Sequence, residues 1–100
     1  MRDPNDIDAH EAEAAAQAKA EKFQRDQWED DIKWLMGHPQ GRRIATRLLE
    51  ESGVFRTSFH TSGSVMAHQE GRKHLGYFLT GEMLEIAPDG YFKLLREYRT

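Results

Sequence analysis

The residues of this chain that are best suited to chemistry are arginines that follow a glycine- and proline-containing turn. The stretch GHPQGRR, residues 37–43, places two glycines, a proline and an arginine pair between two apolar segments of helical spacing. A phosphate-binding loop of the Walker type needs G-x-x-x-x-G-K-[ST] after a strand. Here the glycines are one residue closer, arginine replaces the lysine, and helices are expected on both sides. The stretch is therefore not predicted to bind a nucleotide.

The same stretch is similar to the joint of a helix-turn-helix, in which the first residues of the second helix contact DNA bases. Arg42, Arg43 and Arg47 would suit that role. Two arginines in the first turn of a helix oppose its dipole by about 0.3–1 kcal/mol each, so an anion is expected nearby. As that anion we favour the acidic cluster Glu29-Asp30-Asp31, in an ion-pair set between antiparallel helices, over DNA phosphate.

Other patterns of reactive residues are weak. The five histidines form neither an H-E-x-x-H motif nor a His-x3-His pair, so no metal site is predicted. The chain has no cysteine, no G-x-S-x-G motif and no carboxylate pair in an apolar setting, so no catalytic residue and no cofactor are predicted. Arg72 and Lys73 form a second basic spot, which would join the arginines in one patch if the fold brings them together.

Composition describes a small, polar chain. Its 100 residues are 31% charged, and the mean hydropathy is -0.81. No apolar run approaches the roughly 18–20 residues that span a bilayer, and the acidic N-terminal stretch lacks the apolar segment of a secretion signal. The absence of cysteine excludes a disulfide framework. We therefore expect a cytoplasmic protein without a membrane partner.

Charge is distributed unevenly along the chain. Residues 1–36 carry five Lys/Arg against ten Asp/Glu, a net charge of -5, whereas residues 37–100 carry nine against seven, a net charge of +2. A dominant nucleic-acid surface normally needs a stronger basic excess. The asymmetry instead indicates contact between an acidic arm and a basic body, or an arm that is extended by self-repulsion.

Helices are expected to position these residues. Residues 8–26 are rich in Ala, Glu, Lys and Gln, which favour helix but leave little apolar surface to bury, so they predict a solvated or partner-binding helical arm. A more apolar helix follows, which Gly37 and Pro39 end. Its predicted inward face is Trp28, Ile32, Leu35 and Met36, with Trp34 off that face.

Three further helices are predicted over about 40–52, 64–86 and 89–98, with Ser62 or Ser64 as a cap and Pro88 as a break. The third of these contains glycines at 71, 76 and 81, which we interpret as separate helix contacts. The residues predicted to face inward are Ile44, Leu48 and Leu49, then Met66, Leu75, Phe78, Leu79, Met83 and Ile86, then Tyr91, Leu94, Leu95 and Tyr98.

Three motifs in order carry a family resemblance. WLMGHPQGRRIATRLLEESGVFRTSF (34–59), EGRKHLGYFL (70–79) and a proline before the last helix resemble a small tailed-phage domain family named after a Bordetella phage protein. The resemblance covers about residues 28–98. It implies a phage origin, a compact helical module and genes near those for portal, scaffold and capsid. It carries over no catalytic residue, and it implies a virion-associated or head-assembly role.

These observations predict an all-α protein, a small bundle of about four helices with a long acidic, Ala-rich N-terminal helical arm. Residues 1–27 are predicted to form the arm and residues 28–100 the compact domain. The predicted function is that of a non-enzymatic phage structural or head/portal-assembly protein, in the host cytoplasm during assembly or in the virion. Its predicted partners are portal, capsid or ejected proteins and further copies of itself. The predicted partner-binding residues are Arg42, Arg43, Arg47, Arg56, Arg72, Lys73 and Trp34.

Two alternatives belong to other classes of protein. The first is a DNA-binding accessory factor for genome packaging or regulation, in which the arginines would contact nucleic acid. The second is a host-directed inhibitor whose acidic arm mimics nucleic acid. Composition and motifs leave both of them open.

Overall fold

The computed structural model of the chain describes residues 4–55 and 62–99. These residues form four helices and contain no strand, which confirms the predicted all-α fold. The chain divides into two compact units, Met1–Asp30 and Asp31–Thr100, and each is described by itself. The helices are α1 (Pro4–Gly37), α2 (Pro39–Ser52), α3 (Gly63–Ile86) and α4 (Pro88–Arg99).

In the first unit, α1 exposes every described side chain from residue 6 to residue 28. Its ion pair joins Lys22 Nζ to Asp26 Oδ2 at 2.8 Å, one helical turn apart. Such pairs stabilise a helix by about 0.2–0.5 kcal/mol. Trp28, which was predicted to face inward, is 37% exposed. Between residues 6 and 27, strong helix formers and local pairs favour the helix.

Local signals set the boundaries of α2 and α3. His38 has the extended backbone that a residue before proline favours, with φ of -123° and ψ of 137°, and Pro39 opens α2. Gly53 ends α2 with a φ of 76°, the left-handed conformation that glycine adopts without strain. Ser62 Oγ accepts a hydrogen bond from Val65 N–H at 3.4 Å, which confirms Ser62 as the cap of α3.

The core of the second unit is small and is shared by all four helices. α2, α3 and α4 pack against one another, and the last turns of α1 contribute two residues. The fully buried apolar residues are Ile32 and Met36 from α1, Ala45 and Leu49 from α2, Met83 from α3, and Leu94 from α4. Leu35, Val54, Leu79, Ile86, Ala87, Tyr91 and Leu95 pack around them and are partly buried.

The predicted inward face of α2 is correct at Leu49 but wrong at Ile44 and Leu48. Ile44 and Leu48 are each 54% exposed, whereas Ala45 and Leu49 are fully buried. The cause is the closeness of α2 to the end of α1: a methyl group on Gly41 would overlap the backbone of Leu35. Small residues therefore face the neighbouring helix, and the larger Ile44 and Leu48 face outward.

The predicted face of α3 is also only partly correct. Met83 is buried and Leu79 and Ile86 are partly buried, but Leu75 is 68% and Phe78 is 54% exposed. Met66, at 37%, is exposed as well. The reason is again a close contact, because Gly76 approaches the buried Ser52 so closely that a methyl group there would lie 3.0 Å from Ser52 Cβ. Of the predicted glycine contacts on α3, Gly76 makes one, while Gly71 and Gly81 face open space.

The prediction for α4 is largely confirmed. Leu94 is buried, and Tyr91 and Leu95 pack against the core. Tyr98 is 45% exposed and stacks on Phe55, with ring centroids 4.9 Å apart. This stack joins the residues that follow α2 to the last turn of α4.

Candidate functional site

The arginine pair of the GHPQGRR stretch is divided between the interior and the surface. Arg42 is only 5% exposed, and its Nε donates to both carboxylate oxygens of Glu97, at 2.9 and 3.1 Å. Its Nη1 donates to the carbonyl of Met36 at 2.8 Å. Carbonyls in the last turn of a helix have no partner within the helix, so Arg42 satisfies one of these groups at the end of α1. One side chain thus links α1, α2 and α4.

This geometry corrects two expectations about Arg42. Its carboxylate partner is Glu97, 55 residues later in the chain, where the sequence had suggested Glu29-Asp30-Asp31. It is also buried, so it does not belong to an exposed patch as the predicted partner-binding set required. The side chain is explained by its role in the interior, since an almost fully buried guanidinium needs an acid and a carbonyl around it.

Lys73 does not lie on an exposed patch either. It is 7% exposed, and its Nζ lies 3.9 Å from Glu70 Oε1 on the same helix. Its neighbour Arg72 is exposed. Arg56 lies outside the described residues.

The exposed side of α2 is the most distinctive surface of the second unit. Ile44 and Leu48 are four residues apart and form an apolar ridge, while Arg43 and Arg47, also four apart, form a basic ridge beside it. These four residues and Gln40 line a shallow groove of about 470 Å³. We refer to these five residues as the α2 face. Both kinds of side chain are therefore available together to a partner.

The basic ridge is not neutralised strongly by its own helix. Arg47 Nε lies 3.3 Å from Glu51 Oε1, but the two side chains are 75% and 63% exposed. Exposed pairs of this kind contribute about 0–1 kcal/mol, because water and salt screen them. Arg47 can consequently exchange this partner for another carboxylate at little cost.

Trp34 forms a separate exposed feature at the end of α1. It is 58% exposed, and its ring centroid lies 4.6 Å from that of His38. His38 Nδ1 lies 2.6 Å from the Trp34 carbonyl oxygen, so that nitrogen carries the proton and donates it. His38 therefore holds the indole in place on the surface. Neither Trp34 nor Arg72 is among the described residues that line the groove.

The side chains of the α2 face have the chemistry of a recognition surface. Among the described residues, no group of three or more His, Cys, Asp or Glu side chains could hold a metal ion. None of the helices in the described ranges is long and apolar enough to cross a membrane. Arginine beside aliphatic side chains can pair with carboxylates while its stem contacts apolar groups.

Sequence reasoning missed the apolar half of the α2 face because it assigned Ile44 and Leu48 to the core. A signal was present in the spacing of small residues. Gly41 and Ala45 are small and lie four residues apart, and Leu49 follows four residues later, so the three define an alternative inward face that lets α2 approach a neighbouring helix closely at Gly41. The pairing of Glu97 with Arg42 could not be predicted from local sequence, because the two residues are 55 positions apart in the chain.

Comparison with protein families assigns the chain to a known family. The family model described as Bbp19-like phage protein matches residues 32–96, which is more than half of the chain. The chain belongs to the Bbp19-like phage protein family. This confirms the resemblance that the G-R-R and E-G-R-K motifs had indicated. The matched range of the Bbp19-like domain includes the whole α2 face and all six buried apolar residues. Searches of curated proteins and of solved structures returned no match.

Proposed function

We propose that this Bbp19-like protein is a non-enzymatic structural or head/portal-assembly protein of a bacteriophage that acts through protein–protein contacts. The observation that carries the proposal is an imbalance in the second unit. Among the described residues of this unit six apolar side chains are fully buried, yet many large apolar side chains are exposed. Examples are Trp34, Leu75 and Phe92, which are 58%, 68% and 48% exposed.

Exposed apolar surface of this kind supports a role in association. Single exposed apolar residues are ordinary in soluble proteins, but contiguous ones mark binding surfaces. On the α2 face, two half-exposed aliphatic residues lie beside two arginines, and arginine is enriched in protein interfaces. The partners we propose are portal, capsid or ejected proteins and further copies of this chain. In a phage particle, repeated copies would multiply individually weak contacts.

The arrangement favours this proposal over a DNA-binding accessory factor. Of the three arginines suited to DNA, Arg42 is buried against Glu97 and Arg47 lies beside Glu51. Over all 100 residues the chain carries a net charge of -3, which does not favour a polyanion.

Complementation in the phage tests the proposed function. Phage lacking the gene would be supplied with the natural protein, with Ile44→Ser/Leu48→Ser, or with the control Leu84→Ser. Leu84 is 44% exposed on α3 and is not among the residues that line the groove. Particles and assembly intermediates would be examined by mass spectrometry and electron microscopy. We expect assembly to fail without the protein and with the α2 variant, but not with the control.

Normal assembly without the gene, or absence of the protein from particles and from every intermediate, would overturn the proposal. A salt titration of DNA binding tests the alternative. Micromolar or tighter binding that falls steeply with salt and disappears in Arg43→Ala/Arg47→Ala would establish the DNA-binding role instead.

A further inference from the structure

The α2 face needs an occupant that is both acidic and able to approach closely. Arg43 and Arg47 call for carboxylates, and the ridge of Ile44 and Leu48 calls for a smooth apolar surface. Because the groove is shallow and lies along a helix, a second helix would fit it better than a small ligand. Ridges of one helix pack into the grooves of another at axial distances of about 8–10 Å.

The chain itself contains a helix of that chemistry. Between residues 6 and 18, α1 carries Asp6, Asp8, Glu11 and Glu13 and neither lysine nor arginine, so its net charge is -4. The same segment is rich in alanine, and all of its side chains are exposed. We refer to residues 6–18 as the acidic segment. Its charge is opposite to that of the basic ridge.

The two surfaces also match in their spacing. Ala9, Ala12 and Ala16 recur at i, i+3 and i+7, so they lie on one side of α1 and form a stripe of small residues. Glu13 follows Ala9 by four residues and therefore lies at the edge of that stripe. A stripe of alanines beside a carboxylate is the complement of an aliphatic ridge beside a guanidinium.

We propose that the α2 face of one copy binds the acidic segment of a second copy, so that two copies exchange these contacts. This proposal rests on the proposed function and names one of its partners. Ile44 and Leu48 pack on the alanine stripe, and Arg43 and Arg47 pair with carboxylates of the acidic segment. A closed pair of copies makes the contact twice, as two-fold symmetric dimers do.

Because two copies make the contact twice, a small surface on each copy is enough to hold the pair together. One contact involves two half-exposed aliphatic residues and two exposed arginines, which is weak by itself. Once one contact has formed, the second becomes intramolecular and is favoured by a high effective concentration. Docking also stabilises the exposed part of α1, because a helix that buries little is marginal in water unless a partner covers part of it.

The test uses the full chain and charge reversal, with self-association measured by sedimentation at low and high salt. The variant of the α2 face, called the body variant, is Arg43→Glu/Arg47→Glu, and the variant of the acidic segment is called the arm variant. The arm variant is Glu13→Lys/Gln17→Lys, which places two lysines four residues apart beside the alanine stripe. Its control, Glu11→Lys/Ala18→Lys, changes the charge by the same amount on the opposite side of α1. The control for the body is Lys93→Glu/Arg96→Glu, at two exposed positions of α4.

We expect the natural protein to dimerise and to dissociate as salt is raised. Each of the body and arm variants should weaken association at least about tenfold, and each control less than about threefold. A mixture of the body and arm variants should associate again as a heterodimer, because one of its two contacts is the natural one and in the other the introduced lysines face the introduced glutamates. Circular dichroism of each variant verifies that the helices remain folded.

Several results would overturn the proposal. A natural protein that is monomeric at every concentration, variants that associate as well as the natural protein, or a mixture that remains monomeric would each do so. These outcomes are separate from the phage experiment. If the natural protein is monomeric but Ile44→Ser/Leu48→Ser still blocks particle assembly, the proposed function stands and the α2 face binds a different phage protein.

Discussion

Arg42 shows how one buried charge can organise the ends of three helices. Arg42 lies in the first turn of α2, donates a hydrogen bond to a carbonyl at the end of α1 and pairs with Glu97 near the end of α4. A buried charge is costly unless its hydrogen-bonding groups have partners. Here the guanidinium donates hydrogen bonds to three acceptor atoms. We interpret the first arginine of the G-R-R motif as structural and the second as available for binding.

The two arginines should therefore respond differently to the same substitution. Arg42→Ala removes a partner of Glu97 and the donor that Arg42 provides to the Met36 carbonyl, so the free energy of unfolding should fall by about 2–3 kcal/mol. Arg43→Ala removes an exposed side chain and should change it by less than about 0.5 kcal/mol. Urea denaturation measures both values. Equal losses in the two variants would contradict the structural role of Arg42.

Glu97→Gln provides a second check on the same cluster. The amide oxygen can still accept from Arg42 Nε, but it carries no charge, so the loss should be smaller than in Arg42→Ala. Because Glu97 is 42% exposed and Arg42 is only 6% exposed at its side chain, removal of the arginine costs more than neutralisation of the acid.

The inward face of α2 illustrates which helix features can be read from the sequence. The ends of the helices were predicted well, because proline, glycine and serine act within a few residues of themselves. The face that turns inward depends instead on the neighbouring helix. At Gly41 the backbone of α1 is so close that small residues are required, and a preference for large apolar residues selects the wrong side. Likewise, Arg42 and Arg43 are identical in type, and only the fold distinguishes their environments.

Adjacent leucines of α2 test that face with one substitution. Leu49 is completely buried and Leu48 is 54% exposed. Leu49→Ala should lower the free energy of unfolding by about 2–5 kcal/mol, since it leaves a cavity in the core. Leu48→Ala should lower it by less than about 1 kcal/mol. Chemical denaturation measures the free energy of unfolding of both variants, at a protein concentration low enough that association does not contribute. The reverse order of the two losses would mean that Leu48, and not Leu49, faces the core.

A pair of glycines tests the contact between α1 and α2. Alanine is favoured over glycine within a helix by about 0.5–1 kcal/mol, so Gly71→Ala, which meets open space, should stabilise the protein by about that amount. Gly41→Ala should destabilise it by about 1–3 kcal/mol, because the methyl group overlaps the Leu35 backbone, which cannot rotate away as a side chain can. Thermal unfolding of both variants measures the difference. Stabilisation by Gly41→Ala would show that the two helices are farther apart.

Considered as a whole molecule, the chain combines a very small core with a long helix whose first part is exposed. The described residues bury six apolar side chains, a small core for a domain of this length, so modest losses of stability should unfold it. The family assignment covers residues 32–96, and most of the exposed part of α1 lies before that range. Family membership and the all-α fold could be recognised from the sequence, whereas the α2 face became visible only from the packing of α2.

Association should also be visible in the helix content of the molecule. If contact with a second copy stabilises the exposed part of α1, helical ellipticity should rise with protein concentration, because that helix is marginal alone. Arg43→Glu/Arg47→Glu should remove this dependence while leaving the ellipticity at low concentration unchanged. Far-ultraviolet circular dichroism over a dilution series measures both. Constant ellipticity in the natural protein would mean that the helix does not depend on a partner.

The link between Arg42 and Glu97 also orders events during synthesis. Translation delivers α1, α2 and α3 before α4, so the guanidinium of Arg42 lacks its carboxylate until the last helix has left the ribosome. Leu94, the contribution of α4 to the core, arrives at the same time. The second unit therefore cannot complete its fold on the nascent chain before α4 emerges, and any assembly partner that needs the folded unit must bind after that point.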